Sequence, residues 1–138
     1  MIYDFHTHTF LSDGENSPIE LVRFAVVFGY RCIALTDHGS YSNLDFIISR
    51  LKKDCQLAEK YWDINAIPGV ELTNVPSKSI DDMAKAAKEL GARIVVAHGE
   101  SIVGAPSKTY KFLLVKVQPG QRLPTSPAPN LTFREVTS

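Results

Sequence analysis

The sequence predicts an α/β fold built on a parallel sheet, and three observations carry that reading. Apolar runs of strand length alternate four times with segments of helical period, Gly, Pro and capping residues punctuate them, and histidines and carboxylates collect where the apolar runs stop. Strands separated by helices pair in parallel through right-handed crossovers, and in such sheets the chemistry gathers beyond the C-terminal ends of the strands.

"IYDFHTH" opens with alternating apolar residues and reads as a short strand that ends at its two histidines. "SPIELVRFAVVFGY" follows as a helix, with Ser17 as N-cap, Pro18 at the first helical position, Glu20 closing a capping box and Gly29 as the stop. "RCIALTDHG" is a nearly continuous apolar run, as expected of a strand buried on both faces, and it delivers Asp37 and His38. Helical periodicity from Asn43 to Tyr61 leads into a third strand, "INAIPGVEL", with Glu71 near its end. Ser79 and Asp82 predict a second capping box before "MAKAAKEL", Gly91 stops that helix, and "ARIVVAHGE" is a fourth strand carrying His98. After about Ile102 the pattern fails. The last segment holds five of the eight prolines and reads as an irregular tail, with "YKFLLVKV" as one strand candidate.

Composition narrows the function classes. The 138 residues suit one domain, and fifteen acidic residues balance fifteen basic ones, so no global field points to nucleic acid or an anionic membrane. The first 100 residues carry net −4 and the last 38 net +4. No run approaches the roughly 18 apolar residues of a spanning helix, and no signal peptide opens the chain, so a cytoplasmic protein is expected. Cys32 and Cys55 read as reduced, packed thiols rather than a disulfide framework.

All four histidines lie at or just after a strand end, each with a carboxylate or another histidine close by. Imidazole and carboxylate donors together are the ligand set of Zn, Mn and Fe sites, and a carboxylate can bridge two ions. His6 and His8, two apart on a strand, face the same side and can chelate one ion. The candidate ligands are therefore His6, His8, Asp13, His38, Glu71 and His98. Each has a plainer alternative: Asp13 makes an Asx-turn with Gly14, or Glu71 is a solvated strand terminus. Asp37 is read as an acceptor that orients the imidazole of His38, while Asp4 and Glu100 are read as surface or supporting groups.

"DFHTHTFLSDGENSP", "IALTDHG", "IPGVEL" and "VVAHGE" resemble, in order and spacing, the first motifs of the PHP (polymerase and histidinol phosphatase) domain family, above all its small stand-alone, histidinol-phosphatase-like members. The resemblance implies the N-terminal part of a distorted (β/α)7 barrel, about four βα units, with up to three divalent ions. It assigns His6 and His8 to the first ion, Glu71 as the bridge between first and second, His98 to the second, and Asp13 and His38 to the third. Glu71, Asp13 and His38 become the catalytic residues by the same resemblance. The activity implied is hydrolysis of a small phosphorylated substrate, a phosphomonoester, by a metal-activated water. Arg31, Lys78 and Lys108 are basic residues available to a phosphate, though no motif places them.

The family pattern continues with three more strands, a further histidine and a late Asp-x-His pair, and no histidine follows His98. The expectation is thus a chain truncated or frameshifted after about residue 103, with a partial domain over 1–103 and a tail over 104–138. Open sheet edges then favour self-association. Three readings compete: a PHP-type phosphoesterase, an inactive metal-binding remnant, and a nucleic-acid processing module like those of PHP or TatD type. Neutral charge and the lack of a basic stripe or aromatic platform count against the third.

Overall fold

The computed structural model of the chain describes residues 2–98. The expected tail, Glu100, Lys108 and the strand candidate in "YKFLLVKV" lie outside the described residues. Five strands, β1 (Ile2–Thr7), β2 (Tyr30–Leu35), β3 (His38–Gly39), β4 (Asn65–Leu72) and β5 (Ile94–Ala97), form one sheet, and every pairing in it is parallel. Three helices connect them: α1 (Pro18–Val27), α2 (Leu44–Tyr61) and α3 (Ile80–Leu90). Across the sheet the strands run β1, β2 with β3, β4, β5, which is their order along the chain. Strands laid down in sequence like this build the wall of a barrel, and the sheet is a curled half-barrel.

The expected second strand is divided in the structure. Thr36 donates its N–H to the Thr7 carbonyl of β1, whereas the next carbonyl, that of Asp37, accepts from Glu71 of β4. β2 lies between β1 and β4, and past Thr36 the chain leaves β1 and keeps β4, so the two residues of β3 count as a separate strand that extends β2 along β4. β1 pairs only with β2 among the described residues, and its apolar Ile2, Tyr3 and Phe5 are exposed, with the Tyr3 and Phe5 rings stacked at 6.2 Å.

Alternation along the strands sorts the interior. Ile33 and Leu35 of β2 pack with Val22, Ala25, Ile47, Leu51 and Cys55 of α1 and α2, and Val70, Leu72 and Val95 pack with Ile48, Met83 and Ala87 of α2 and α3. The other face gathers Cys32, Ala34, Ile67, Ile94 and Val96. At period two, the row through Ile67 reaches Glu71 and the row through Ile94 and Val96 reaches His98. The face opposite the helices therefore turns from apolar to chelating in the last residues of its strands.

The capping box of α1 forms as expected: Glu20 donates its N–H to Ser17 Oγ and Ser17 donates its own to Glu20 Oε2, each at 3.3 Å. The box expected at Ser79 and Asp82 does not. A 3-10 turn over Ser77–Ser79 runs straight into α3, Ser79 is already in helical conformation, and its hydroxyl donates to the Pro76 carbonyl at 2.8 Å. Asn43 precedes α2 without capping it, its side-chain oxygen instead accepting from Ser40 N at 2.7 Å. Gly91 ends α3 at φ 110°, where a side chain would be strained.

Three tests follow from this packing. Leu51 is 0% exposed, so Leu51→Ala is expected to lower the unfolding free energy in urea by about 2–5 kcal/mol. In the loop from β1 to α1, a Cβ on Gly14 would lie 2.3 Å from the His8 carbonyl oxygen, and Gly14→Ala is expected to cost roughly 1–3 kcal/mol by the same measurement. Burial pushes the Cys32 thiol up from 9.0 to about 11. The folded chain then holds a proton that the unfolded one releases, so stability falls as pH rises from 9.0 to about 11. Urea midpoints across that window should slope less in Cys32→Ala.

Candidate metal centre

Four strand ends converge on one carboxylate. Glu71, at the end of β4, has a side chain only 6% exposed, and its Oε2 lies 3.0 Å from His6 Nε2, 3.1 Å from His8 Nε2 and 3.3 Å from His38 Nδ1. The two histidines of β1 arrive from one side, with their Nε2 atoms 3.0 Å apart, as residues two apart on a strand must. His38 arrives from β3, whose register sets it directly opposite Glu71. His98 follows β5, its N–H bonded to the Leu72 carbonyl at 3.0 Å, and its ring lies 5.3 Å from that of His38.

Asp13 comes from the loop after β1. Its carboxylate lies 2.9 Å from His8 Nδ1 and 3.3 Å from His38 Nε2. Desolvation tends to raise its pKa, but the charges of His8 and His38 with hydrogen bonds from His8 and Ser12 outweigh it and hold the carboxyl below its ordinary value. The six candidate residues thus fall into three overlapping triads: His6, His8 and Glu71; His8, Asp13 and His38; and His38, Glu71 and His98. Within each triad the donor atoms lie within 4.8 Å of one another.

The donor set fits divalent cations. Three imidazole nitrogens crowd one nearly buried carboxylate oxygen, no lysine or arginine pairs with that carboxylate among the described residues, and imidazole with carboxylate is the chemistry of Zn, Mn and Fe sites. Sharing limits how the donors are used. An imidazole nitrogen binds one ion, so His8 and His38 each serve one neighbour, whereas Glu71 has two oxygens to bridge with.

The surroundings hold residues that sequence reasoning missed. Thr73 Oγ1 lies 2.6 Å from His38 Nδ1 and fixes the ring with Nε2 toward Asp13. Asp37 does not orient His38, as had been expected from its place in the chain. Its carboxylate accepts from Thr9 N at 2.8 Å, Thr9 Oγ1 at 2.9 Å and Ser12 Oγ at 2.6 Å, and so holds the loop that carries Asp13. Asp4 accepts the backbone N–H of His6 at 3.1 Å. Arg31 pairs with Asp63 at the start of β2, the opposite end of the strand from the histidines, which removes it from any phosphate at the centre.

No helix among the described residues is long and apolar enough to cross a membrane. The profile of the PHP domain matches residues 4–114. An uncharacterized protein of Methanocaldococcus jannaschii is 55% identical over 104 residues, which are 75% of this chain and 48% of that protein. A 5'-3' exoribonuclease of Haemophilus influenzae is 37% identical over 71 residues, 51% of this chain and 23% of its own length. The 5'-3' exoribonuclease Rnm of Escherichia coli is 35% identical over 75 residues, 54% of this chain and 24% of its own. The chain therefore spans about half of the first relative and about a quarter of the other two. A profile match over most of its length, on the residues that build this centre, shows that the chain belongs to the PHP domain family.

Proposed function

We propose that this chain carries the ligand-bearing half of a metal-dependent phosphoester hydrolase acting on a small phosphomonoester, in the manner of histidinol phosphatases. The single observation that supports it most is the buried Glu71 oxygen ringed by three imidazoles at the mouth of a half-barrel. His6, His8 and Glu71 would hold a first Zn, Mn or Fe ion, Glu71 and His98 a second, and Asp13 with His38 a third. Bound cations supply Lewis-acid polarisation of the phosphoryl oxygens and acidify a water near neutral pH. The residues themselves would do the rest: Glu71, with two oxygens, would link neighbouring sites, and Thr73 fixes the ring of His38. Cys32 and Cys55, both free and buried, suit a reducing cytoplasm.

A second reading is favoured by the names of two relatives, both 5'-3' exoribonucleases, and places the same centre on a phosphate of an RNA chain. One assay separates the readings. Purified chain loaded with Mn²⁺ or Zn²⁺ is given p-nitrophenyl phosphate, histidinol phosphate and a 5'-phosphorylated RNA oligonucleotide. Phosphate release from the monoesters that is lost in Glu71→Gln supports the first reading; nucleotides released from RNA with the monoesters intact support the second. Bound metal without turnover of any substrate leaves a remnant. Glu71→Gln is expected to weaken metal binding by more than the roughly 10–100-fold typical of a residue that only supports a ligand. Chelation should lower the thermal midpoint of the wild type, since an ion at about 100 times its Kd stabilises a fold by ~2.7 kcal/mol.

A further inference from the structure

Asp37 is a charged-type residue with 0% exposure, and both its oxygens accept hydrogen bonds: Oδ1 from Thr9 N and Ser12 Oγ, Oδ2 from Thr9 Oγ1. Thr9 is equally buried and is the pivot of the loop. Its carbonyl accepts from Ser12 N at 3.1 Å and Gly14 N at 2.9 Å, and its hydroxyl accepts from Leu11 N at 3.2 Å. A tight path from His8 to Gly14 is thus wound around one threonine, and that threonine is tied to the end of the neighbouring strand through Asp37.

The three members of this hub stand beside the three members of one triad. Thr9 follows His8, Ser12 precedes Asp13, and Asp37 precedes His38. A peptide unit separates each hub residue from its ligand, so bonds within the hub fix the backbone positions from which His8, Asp13 and His38 aim their donor atoms. Asp13 itself is an exposed side chain on a loop. The Asp13 carboxylate is otherwise met by the imidazoles of His8 and His38 and by Ser12 Oγ at 3.3 Å, and the loop is closed at its base by Phe10 N donating to the Asn16 carbonyl at 2.9 Å, so among the described residues the hub is the one tie from this loop to the neighbouring strand through a buried side chain.

We propose that Asp37 is the positioning residue of the third ion's site. It acts through Thr9 and Ser12 to hold Asp13 and His38 at chelating distance, beside His8, before any cation binds. This rests on the reading of the cluster as a metal centre and adds to it that one of the sites is organised by a separate buried network. Loss of the hub is then selective. The Asp37 carbonyl also accepts from Glu71 N, but that backbone bond does not depend on the Asp37 side chain, and the pairing of β4 with β5 that places Glu71 and His98 lies outside the hub.

The test uses the full chain, Co²⁺ as the metal probe, and amide hydrogen exchange as a readout that needs no metal. Ser12→Ala deletes one of the three hub bonds at a partly exposed residue, and Asp37→Asn keeps the shape and leaves an oxygen for Thr9 N. Asp37→Ala removes all three bonds. Faster exchange at Ser12 and Gly14 is expected in Ser12→Ala and more so in Asp37→Ala, with exchange in β4 unchanged. Titration by the visible absorption of Co²⁺ should show one class of site weakened about 10–100-fold in Asp37→Ala. The remaining class should keep its affinity, and Asp37→Asn should recover part of the loss. Unchanged loop exchange in Ser12→Ala and Asp37→Asn overturns the proposal, as does equal weakening of every class. If the wild type binds no Co²⁺, the metal-centre reading fails, and the exchange data still decide whether Asp37 holds the loop.

Discussion

Parallel pairing of β4 with both of its neighbours determines where every donor of the centre can be. Glu71 stands opposite His38 on one side and Val96 on the other, and the following carbonyl, of Leu72, receives the N–H of His98. A slip of one residue along either neighbour would turn Glu71 toward the helices and an apolar side chain toward the histidines, because successive residues face opposite sides of a sheet. The register is held by the apolar rows on both faces, and Gly69 contributes by proximity: a Cβ there would lie 2.8 Å from the Ile94 carbonyl oxygen. The chelating cluster is therefore a consequence of packing several residues away, toward the start of the strands.

Burying Glu71 is expensive in the absence of cationic partners, since a carboxylate taken from water loses far more solvation than neutral neighbours return. Imidazoles placed around its Oε2 offset part of that cost as hydrogen-bond donors, and sharing cations with it would offset more. This is a local conflict between stability and arrangement of the sort that binding sites retain, because the preorganised donors are what the ligand uses. Among the described residues Asp37 is the other buried carboxylate, and there three neutral donors from Thr9 and Ser12 satisfy it; no buried side-chain polar atom lacks a partner among the described residues.

Much of this was legible in the sequence because the signals were periodic or local. Apolar runs closed by His38, Glu71 and His98 marked strand ends, and strand ends in a parallel sheet share one rim, so the six donors could be grouped without coordinates. The capping box at Ser17 and Glu20 was local and formed as read. The same signature at Ser79 failed because the preceding 3-10 turn had already brought Ser79 into helical conformation, a context that the four-residue pattern does not contain. Thr9, Ser12 and Thr73 were missed since hydroxyl groups carry no spacing signature and their partners lie 25 to 35 residues away. Asp37 was assigned to its sequence neighbour, whereas in the fold its carboxylate reaches across to the adjacent strand's loop.

Counting donors sets what this half of a barrel can do alone. If every imidazole serves one ion and Glu71 bridges, the ion at His6 and His8 has three protein donors, and the ions at His98 and at Asp13 with His38 have two each. Three donors plus an open position is the pattern of catalytic zinc sites, whereas two leave an ion weakly held. On that proposed assignment the first site would be complete within the described residues, and the others would depend on further donors or on the rigidity with which their two are presented. That makes preorganisation more valuable at the Asp13 site than at the first, and it is there that the buried network of Asp37, Thr9 and Ser12 is found.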